Sequence, residues 1–193
     1  MKQIIKTMAM GVLAMIAITS FSEEKKCYTI NGEISDVKEG VVYLKKYAEK
    51  SFVDVDSAVI TDGKFKFEGV VAEALAHGLT TQKESRRPLV FFLDNDAMNI
   101  TLDESNKQLV VKGSPVNDIY MANAPIVRSK GYNLDSLLSV HSASPATPYF
   151  IVKDFAYKLN LGEMKSVRAK VDAALDGTSY VEQIESMIAR MEK

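Results

Sequence analysis

The sequence has a single cysteine, no tryptophan and almost no net charge. One cysteine excludes a disulfide framework within the chain, a Cys-x-x-Cys redox pair and a zinc site built from four cysteines. The lack of tryptophan removes a strong stacking platform for sugars or bases. A net charge of -1 argues against a nucleic-acid binder that works through a large positive field. Glycine-rich phosphate loops and Gly-x-Ser-x-Gly motifs are also missing, so the sequence predicts no catalytic, cofactor-binding or metal residue.

Residues 1–22 have the three parts of a secretory signal peptide. Lys2 and Lys6 give a positive start, an uncharged apolar stretch follows, and Ser20 and Ser22 place small residues at a cleavage site. A membrane-spanning helix needs about 20 apolar residues, so a cleaved signal is favoured over a retained anchor, which stays the alternative. The rest of the chain has no second long apolar stretch. We therefore expect an exported protein without a stable membrane span.

Residues 23–114 alternate between apolar and polar residues in short segments separated by turn signals, the pattern of a sandwich or open barrel. Asp62-Gly63 is the strongest hairpin signal, because both residues tolerate positive φ. Val53, Val55 and Val59 alternate with polar residues that we expect on a solvated face. The predicted strands cover residues 28–34, 41–47, 53–59, 65–69, 75–79, 89–93, 98–102 and 109–111.

Residues 115–193 change to a helical period. A short helix is expected at Pro115 and a second one after Pro145, with residues 127–147 as a mobile connection. A third apolar stripe, Met164, Val167, Val171 and Leu175, is stopped by Gly177, and Ser179-x-x-Glu182 is a capping box for a fourth helix. The prediction is an α+β fold: an antiparallel sandwich or partial barrel of about eight strands, then a small helical region.

The strand and turn pattern resembles a known family. The segments that carry the resemblance are residues 28–35, 40–46, 56–69, 91–95 and 112–118. Together they resemble the β-rich domain of unknown function at the N-terminus of exported thioredoxin-like (AhpC/TSA-type) proteins of Gram-negative bacteria. The resemblance implies a location in the periplasm or outer envelope and a thioredoxin-like protein partner. The chain lacks the Cys-x-x-Cys of those relatives, so redox catalysis is not implied.

The candidate site residues each have a structural alternative. Cys27 is a reactive thiol or a small residue at the edge of the first strand. The apolar stripe of the last helix, Val181, Ile184, Ile188 and Met191, is an interaction surface or plain core. Ser57 and Ser136 follow aspartates in Asp-Ser-apolar tripeptides that resemble O-glycosylation sites of such bacteria.

Charged groups give weaker signals. Asp54 and Asp56 lie two apart on a strand, as a glycosidase pair would, but a solvated strand face is the simpler interpretation. The acidic residues Asp94, Asp96, Asp103 and Glu104 fail the EF-hand pattern and fit turns better than a calcium site. Arg86-Arg87-Pro88 either grips an anion or forms a solvated loop.

The sequence favours a non-catalytic exported envelope protein that binds an unknown ligand or partner. One alternative is an accessory subunit of a thiol-disulfide oxidoreductase system that uses Cys27. Another alternative is a sugar- or peptide-binding module that uses exposed sheet edges.

Overall fold

The strands fall where the alternating pattern predicts them. The computed structural model describes residues 26–48 and 51–193, so the predicted signal peptide and its cleavage site lie outside the described residues. The strands are β1 Tyr28–Ile34, β2 Gly40–Ala48, β3 Ser51–Ile60, β4 Lys64–Gly69, β5 Leu75–Thr80, β6 Leu89–Leu93, β7 Ala97–Asp103 and β8 Gln108–Lys112.

The strands form two four-stranded sheets with the orders β4-β1-β7-β8 and β3-β2-β5-β6. Together with the C-terminal helices they give the predicted α+β fold, and the described strands form no closed barrel. One pairing departs from the expected antiparallel arrangement, because β1 and β7 run parallel. They are far apart in the chain, so the connection between them is long enough to return β7 in the same direction as β1.

The Asp62-Gly63 hairpin is confirmed. Asp62 and Gly63 have φ of 52° and 77°, the two positive values of a type I′ turn. Thr61 and Lys64 exchange two backbone hydrogen bonds, with N···O distances of 3.0 and 2.9 Å. After the turn, β3 and β4 separate into different sheets, so the hairpin joins the two layers of the sandwich.

The main core lies between the sheets and consists of alternate strand residues. Ile30 and Met98 from one sheet and Val42, Leu79 and Phe91 from the other are all fully buried there. The third strand differs from this pattern: Val53, Val55 and Val59 are 44%, 49% and 70% exposed. Val59 is paired with Val41, next to the buried Val42, so it points to the face of the sheet away from the core. Val53 and Val55 lie on the outermost strand of this sheet, at and before the bulge in its pairing with β2.

The helical region is more irregular than the sequence predicts. Its helices are α1 Pro115–Asn123, α2 Leu134–His141, α3 Ala146–Phe150, α4 Leu161–Lys170 and α5 Ser179–Met191. Between α3 and α4 the chain forms a π-helix, Ile151–Phe155, and a 3₁₀ turn, Ala156–Lys158. None of the described helices is long and apolar enough to span a bilayer.

Three predicted features of this region are wrong, and the first two concern the bounds of helices. The expected mobile connection, residues 127–147, contains α2, because the Asn133 side chain accepts hydrogen bonds from Asp135 N and Ser136 N and caps the helix. The helix that we expected to run to Gly177 ends at Lys170, because Val171 adopts an extended backbone before a short 3₁₀ turn.

The predicted capping box of α5 is also wrong. The N-cap residue is Thr178, and it makes no side-chain cap. Glu73, which precedes β5, caps the helix instead: Ser179 N donates to Glu73 Oε2 at 2.9 Å, and the Ser179 hydroxyl donates to Oε1. A carboxylate at a helix N-terminus is stabilised by the free N–H groups and the helix dipole. This contact therefore ties α5 to the sheet.

The helices cover the outer face of the β5–β6 half of one sheet. Phe92 on β6 packs in a cluster with Val116 and Tyr120 of α1, Phe150 of α3 and Tyr180 of α5. The Asn117 amide donates to Phe92 O and accepts from Phe92 N, both at 2.7 Å, as a neighbouring strand would. A third cluster, which includes Ile151, Met164, Val181 and Ile184, lies among the helices alone.

Candidate functional site

A groove lies where the uncovered part of the β3-β2-β5 face meets the helical region. Its larger chamber has a volume of about 610 Å³ and is lined by β2, β3, the β5–β6 loop and the π-helix. A smaller chamber of about 240 Å³ is lined by β2, the π-helix and the start of α5. Tyr47 and Lys153 line both chambers, which makes the two chambers neighbours. The groove is therefore built by both regions of the chain.

A β-bulge sets the floor of the larger chamber. The pairing of β2 with β3 passes from Leu44 opposite Asp56 to Lys45 opposite Asp54, so Val55 is the extra residue. Lys45 is only 3% exposed, and its Nζ lies 2.6 Å from Asp54 Oδ1 and also donates to Lys83 O. A buried ammonium needs such partners, and this pair leaves the floor polar but locally neutral.

Gly78 makes room for the wall of this chamber. It lies opposite Lys45 on β5, and a Cβ at this position would stand 2.4 Å from Pro88 Cγ. Pro88 belongs to the β5–β6 loop, and Phe52 of β3 lies on the same side of Gly78. A glycine is therefore required if the loop is to approach the sheet this closely.

Aromatic rings and a lysine form the boundary between the chambers. The rings of Tyr47 and Phe52 meet edge to face with centroids 5.2 Å apart. Lys153 Nζ lies 4.5 Å from the centroid of the Tyr47 ring, a cation–π contact. Lys153 belongs to the π-helix, and the next residue, Asp154, is buried and accepts from Arg128 Nε at 2.6 Å. The π-helix thus directs one residue to the groove and anchors the next, and π-helical turns often occur at functional sites.

The smaller chamber is lined by phenol groups held in the neutral state. Burial raises the pKa of Tyr180 to about 12 and raises the pKa of Tyr149 further. Tyr180 accepts a hydrogen bond from Ala76 N at 3.0 Å, so its own proton stays available for donation. Leu75 and Val152 add apolar surface to the same chamber. This part of the groove can hold an apolar group with a hydrogen-bond acceptor.

The larger chamber carries a positive excess. Lys45 and Asp54 neutralise one another, which leaves Lys83, Arg86 and Lys153 against Glu84 among the charged lining residues. These remaining side chains belong to exposed residues. The sequence left Arg86 either as an anion contact or as part of a solvated loop. The structure places Arg86 in the β5–β6 loop at the rim of the groove, where it can meet an anionic ligand.

The candidate residues from the sequence lie elsewhere. Cys27 is exposed just before β1. Ser57 on β3 and Ser136 on α2 are both exposed. None of the three lines the groove.

The α5 stripe divides into core and surface. Val181 and Ile184 are fully buried in the helical cluster, so for these two the core interpretation applies and a surface role is corrected. Ile188 is partly buried against the same cluster, and Met191 is 41% exposed. Only the end of the stripe faces solvent, because the first turns of α5 pack on α3 and α4.

The aspartates of β3 do not form a pair. Because Leu44 and Lys45 are consecutive, they point to opposite faces of β2, and so do their partners Asp56 and Asp54. The bulge at Val55 removes the two-residue period that would have placed both carboxylates on one face.

The acidic residues around the β6–β7 turn have separate structural roles. Asp96 accepts from Lys26, and Glu104 accepts from Thr80 and Thr81. Asp94 Oδ2 accepts from the Ser114 hydroxyl at 2.9 Å, and burial raises the pKa of the Asp94 carboxyl. Within residues 26–48 and 51–193, no group of three or more His, Cys, Asp or Glu side chains is arranged to hold a metal ion.

Sequence reasoning missed most of the groove. It named Arg86, in the Arg86-Arg87-Pro88 segment, as one of two interpretations of that loop, and it named Asp54 only as part of a pair that the structure does not form. It did not find Lys153, because a π-helix has no recognisable sequence signature. It also missed Gly78, whose role depends on a loop that returns from later in the chain.

The comparison with protein families finds a match to the sandwich region and the start of the helical region. No curated protein matches the sequence. The model of a family described as a domain of unknown function, DUF4369, matches residues 28–120, which hold all eight strands and part of α1. The β-sandwich region of this chain, with the start of its first helix, is therefore similar to that domain of unknown function, which confirms this part of the sequence resemblance.

Proposed function

We propose that the protein is a non-catalytic exported protein of the cell envelope that binds a ligand in the groove between its sheet and its helical region. The observation that carries this proposal is the convergence of two backbone irregularities. The bulge at Val55 sets Lys45 and Asp54 into the floor, and the π-helix sets Lys153 beside Tyr47. Such irregularities cost regular hydrogen bonding and are concentrated at functional sites.

The dimensions and chemistry of the groove support binding. A volume of about 610 Å³ lies within the range of roughly 300–1,000 Å³ that is usual for ligand sites. The larger chamber offers cations and the smaller one apolar surface and phenol donors. A ligand with an anionic part and an apolar part would satisfy both chambers.

The same residues give little support to catalysis. Lys45 is buried, and its Nζ is occupied by contacts with the Asp54 carboxylate and the Lys83 carbonyl. The raised pKa values of Tyr149 and Tyr180 keep their phenols protonated at neutral pH. A general base with a pKa near the working pH is what proton-transfer catalysis requires.

The proposal is tested with an array of peptides and oligosaccharides. Ser85→Trp places an indole in the larger chamber, and Ser139→Trp, on the exposed face of α2, is the matched control. We expect the wild-type chain and Ser139→Trp to bind the same class of compound and Ser85→Trp to lose it. Absence of binding by the wild type, or equal binding by both variants, would overturn the proposal.

A second candidate function is the accessory role in thiol-disulfide exchange. It is favoured by the exposure of the Cys27 residue just before β1, since thiol–disulfide exchange requires access to the thiol. The test is chemical crosslinking in the cell envelope followed by capture of the chain. Recovery of a thioredoxin-like protein that is lost on Cys27→Ser supports this role, and recovery that persists in the variant contradicts it.

Export and glycosylation remain proposals that one measurement addresses. Ser57 and Ser136 are exposed, as an O-glycosylation site must be. The intact mass of the native protein reports both the cleavage of residues 1–22 and any added glycan. Loss of the glycan mass in Ser57→Ala or Ser136→Ala would locate the site, and an unmodified mass would exclude both.

A further inference from the structure

Within residues 26–48 and 51–193, no strand pairs with the outer edge of β3 next to the groove. β3 is the outermost strand of its sheet, and β2 is its partner along Ser51–Ile60. After the bridge at Thr61 and Lys64, the following strand leaves for the other sheet. Edge strands present alternate N–H and C=O groups that can pair with an added strand. The first part of β3 therefore has backbone groups available beside a side-chain pocket.

The two faces of β3 at this edge have different chemistry. Phe52 and Asp54 line the larger chamber, whereas Val53 does not and is 44% exposed. Val55, at the bulge, is 49% exposed and ends the regular pairing. A strand that paired along Ser51–Asp54 would point alternate side chains into the groove and towards Val53. Specificity would then come from the side chains on each face.

The charges of the groove select the side chains that would enter it. Because Asp54 is bound to Lys45, the groove presents Lys83, Arg86 and Lys153 against Glu84. Acidic side chains are attracted by this excess, and apolar side chains fit beside Val53 on the other face. The edge therefore favours a partner strand whose two faces differ in the same way.

We propose that the ligand of the groove is an extended segment of a partner protein, with acidic and apolar residues in alternation, that adds as a strand to the β3 edge. This inference rests on the proposed function, because it names the occupant of the same groove. A second copy of β3 does not supply such a segment. Its bulge puts Asp54 and Asp56 on opposite faces, and Asp54 is already bound to Lys45.

The first experiment is an NMR titration of the full chain with two synthetic octapeptides of alternating valine and glutamate or alternating valine and lysine. We expect the glutamate peptide to shift amide signals of β3 and the groove and to bind at least about tenfold more tightly than the lysine peptide. The Lys153→Glu variant should bind the glutamate peptide more weakly than the wild type, by a similar factor. Lys158→Glu is the matched control, since Lys158 is exposed but lies outside the groove.

Backbone pairing is tested separately by N-methylation of the glutamate peptide. Methyl groups on the amides of the even residues block one edge of the added strand, and those on the odd residues block the other. We expect one of the two peptides to lose binding and the other to keep it, because only one edge pairs with β3. Equal binding by both would show attraction by charge alone and would overturn strand addition.

Other occupants give distinct results. Binding of a glucuronate oligosaccharide without the glutamate peptide, sensitive to Ser85→Trp, would overturn the peptide inference and leave the proposed function standing. A concentration-dependent dimer in sedimentation that Val53→Glu abolishes would show that a second copy occupies the edge and would also overturn it. If no compound binds the wild type with an affinity that Ser85→Trp reduces, both the peptide inference and the proposed function are overturned.

Discussion

Phe91 and Phe92 are neighbours on β6, and both are fully buried, but they belong to two differently built regions. Phe91 faces the interior of the sandwich, where alternate residues of two sheets pack on one another. Phe92 faces outward and is covered by helices, with the rings of Tyr120 and Tyr149 each 5.4 Å from its own. The sandwich encloses its core with its own strands, whereas the helical region shares a core with the back of a sheet.

This difference explains why the polar anchors lie at the junction. Inside the sandwich, the regular ladders satisfy the backbone. At the outer edge of β6 and at the starts of β5 and α5, side chains do so: Asn117 pairs with Phe92, Tyr180 accepts from Ala76, and Glu73 caps α5. The groove lies at the margin of this junction, where neither region alone supplies its walls.

The largest effect is expected from Phe92→Ala, which should cost about 3–5 kcal/mol of the free energy of unfolding because it opens a cavity in the shared cluster. Phe91→Ala should cost a similar amount. The two variants should differ in which elements exchange their amide hydrogens faster. We expect faster exchange in α1 and α5 for Phe92→Ala, and in all strands for Phe91→Ala. The same exchange pattern in both variants would mean that the regions unfold as one unit.

A smaller loss is expected from Asn117→Ala, at about 1–3 kcal/mol, because it leaves the buried Phe92 N–H and C=O without their partners. Asn95 makes the same double hydrogen bond with Val71 in a partly exposed place. Water can replace that amide, so Asn95→Ala should cost clearly less in urea unfolding. An equal cost for both would show that burial does not govern these contacts.

Removal of the remote cap should have an effect of about 0.5–2 kcal/mol, the usual range for a helix N-cap. We expect this loss for Glu73→Ala, measured by thermal unfolding. Glu182→Ala is the control, since Glu182 is the residue that the predicted capping box would have used. A larger loss of stability for Glu182→Ala than for Glu73→Ala would show that Glu182 caps the helix and would contradict the cap by Glu73.

These two regions also differ in how much of them the sequence predicts. Alternation, the Asp62-Gly63 turn and the apolar run at residues 89–93 are local signals, and together they locate all eight strands. The parallel pairing of β1 with β7 and the cap of α5 by Glu73 join distant parts of the chain, the latter across 106 positions. Local pattern carries no information about such contacts.

The groove was hidden for the same reason. Lys45, Tyr47 and Arg86 could be noticed as residue types, but the bulge and the π-helix that arrange the site leave the residue pattern unchanged. The stripe on α5 shows the converse problem. A 3.6-residue apolar period predicts one buried face, and it does not say whether a neighbouring helix or another protein covers that face.

The smallest effect is a pH dependence that belongs to the sandwich. Burial lowers the pKa of His77 below its ordinary value of 6.5, so the folded state keeps this ring neutral. The unfolded chain then binds more protons as the pH falls through and below 6.5, and stability drops by at most about 1.4 kcal/mol per pH unit. His77→Gln removes this contribution, so urea unfolding at pH 7.5 and 5.5 should differ less in the variant than in the wild type. Burial raises the pKa of Tyr149 and of Tyr180 far above this pH range, so these two residues do not contribute to the difference in stability between pH 7.5 and 5.5. An equal loss in both proteins would assign the acid sensitivity to other groups. The half-buried Asp94 is excluded, because its raised pKa acts in the opposite direction.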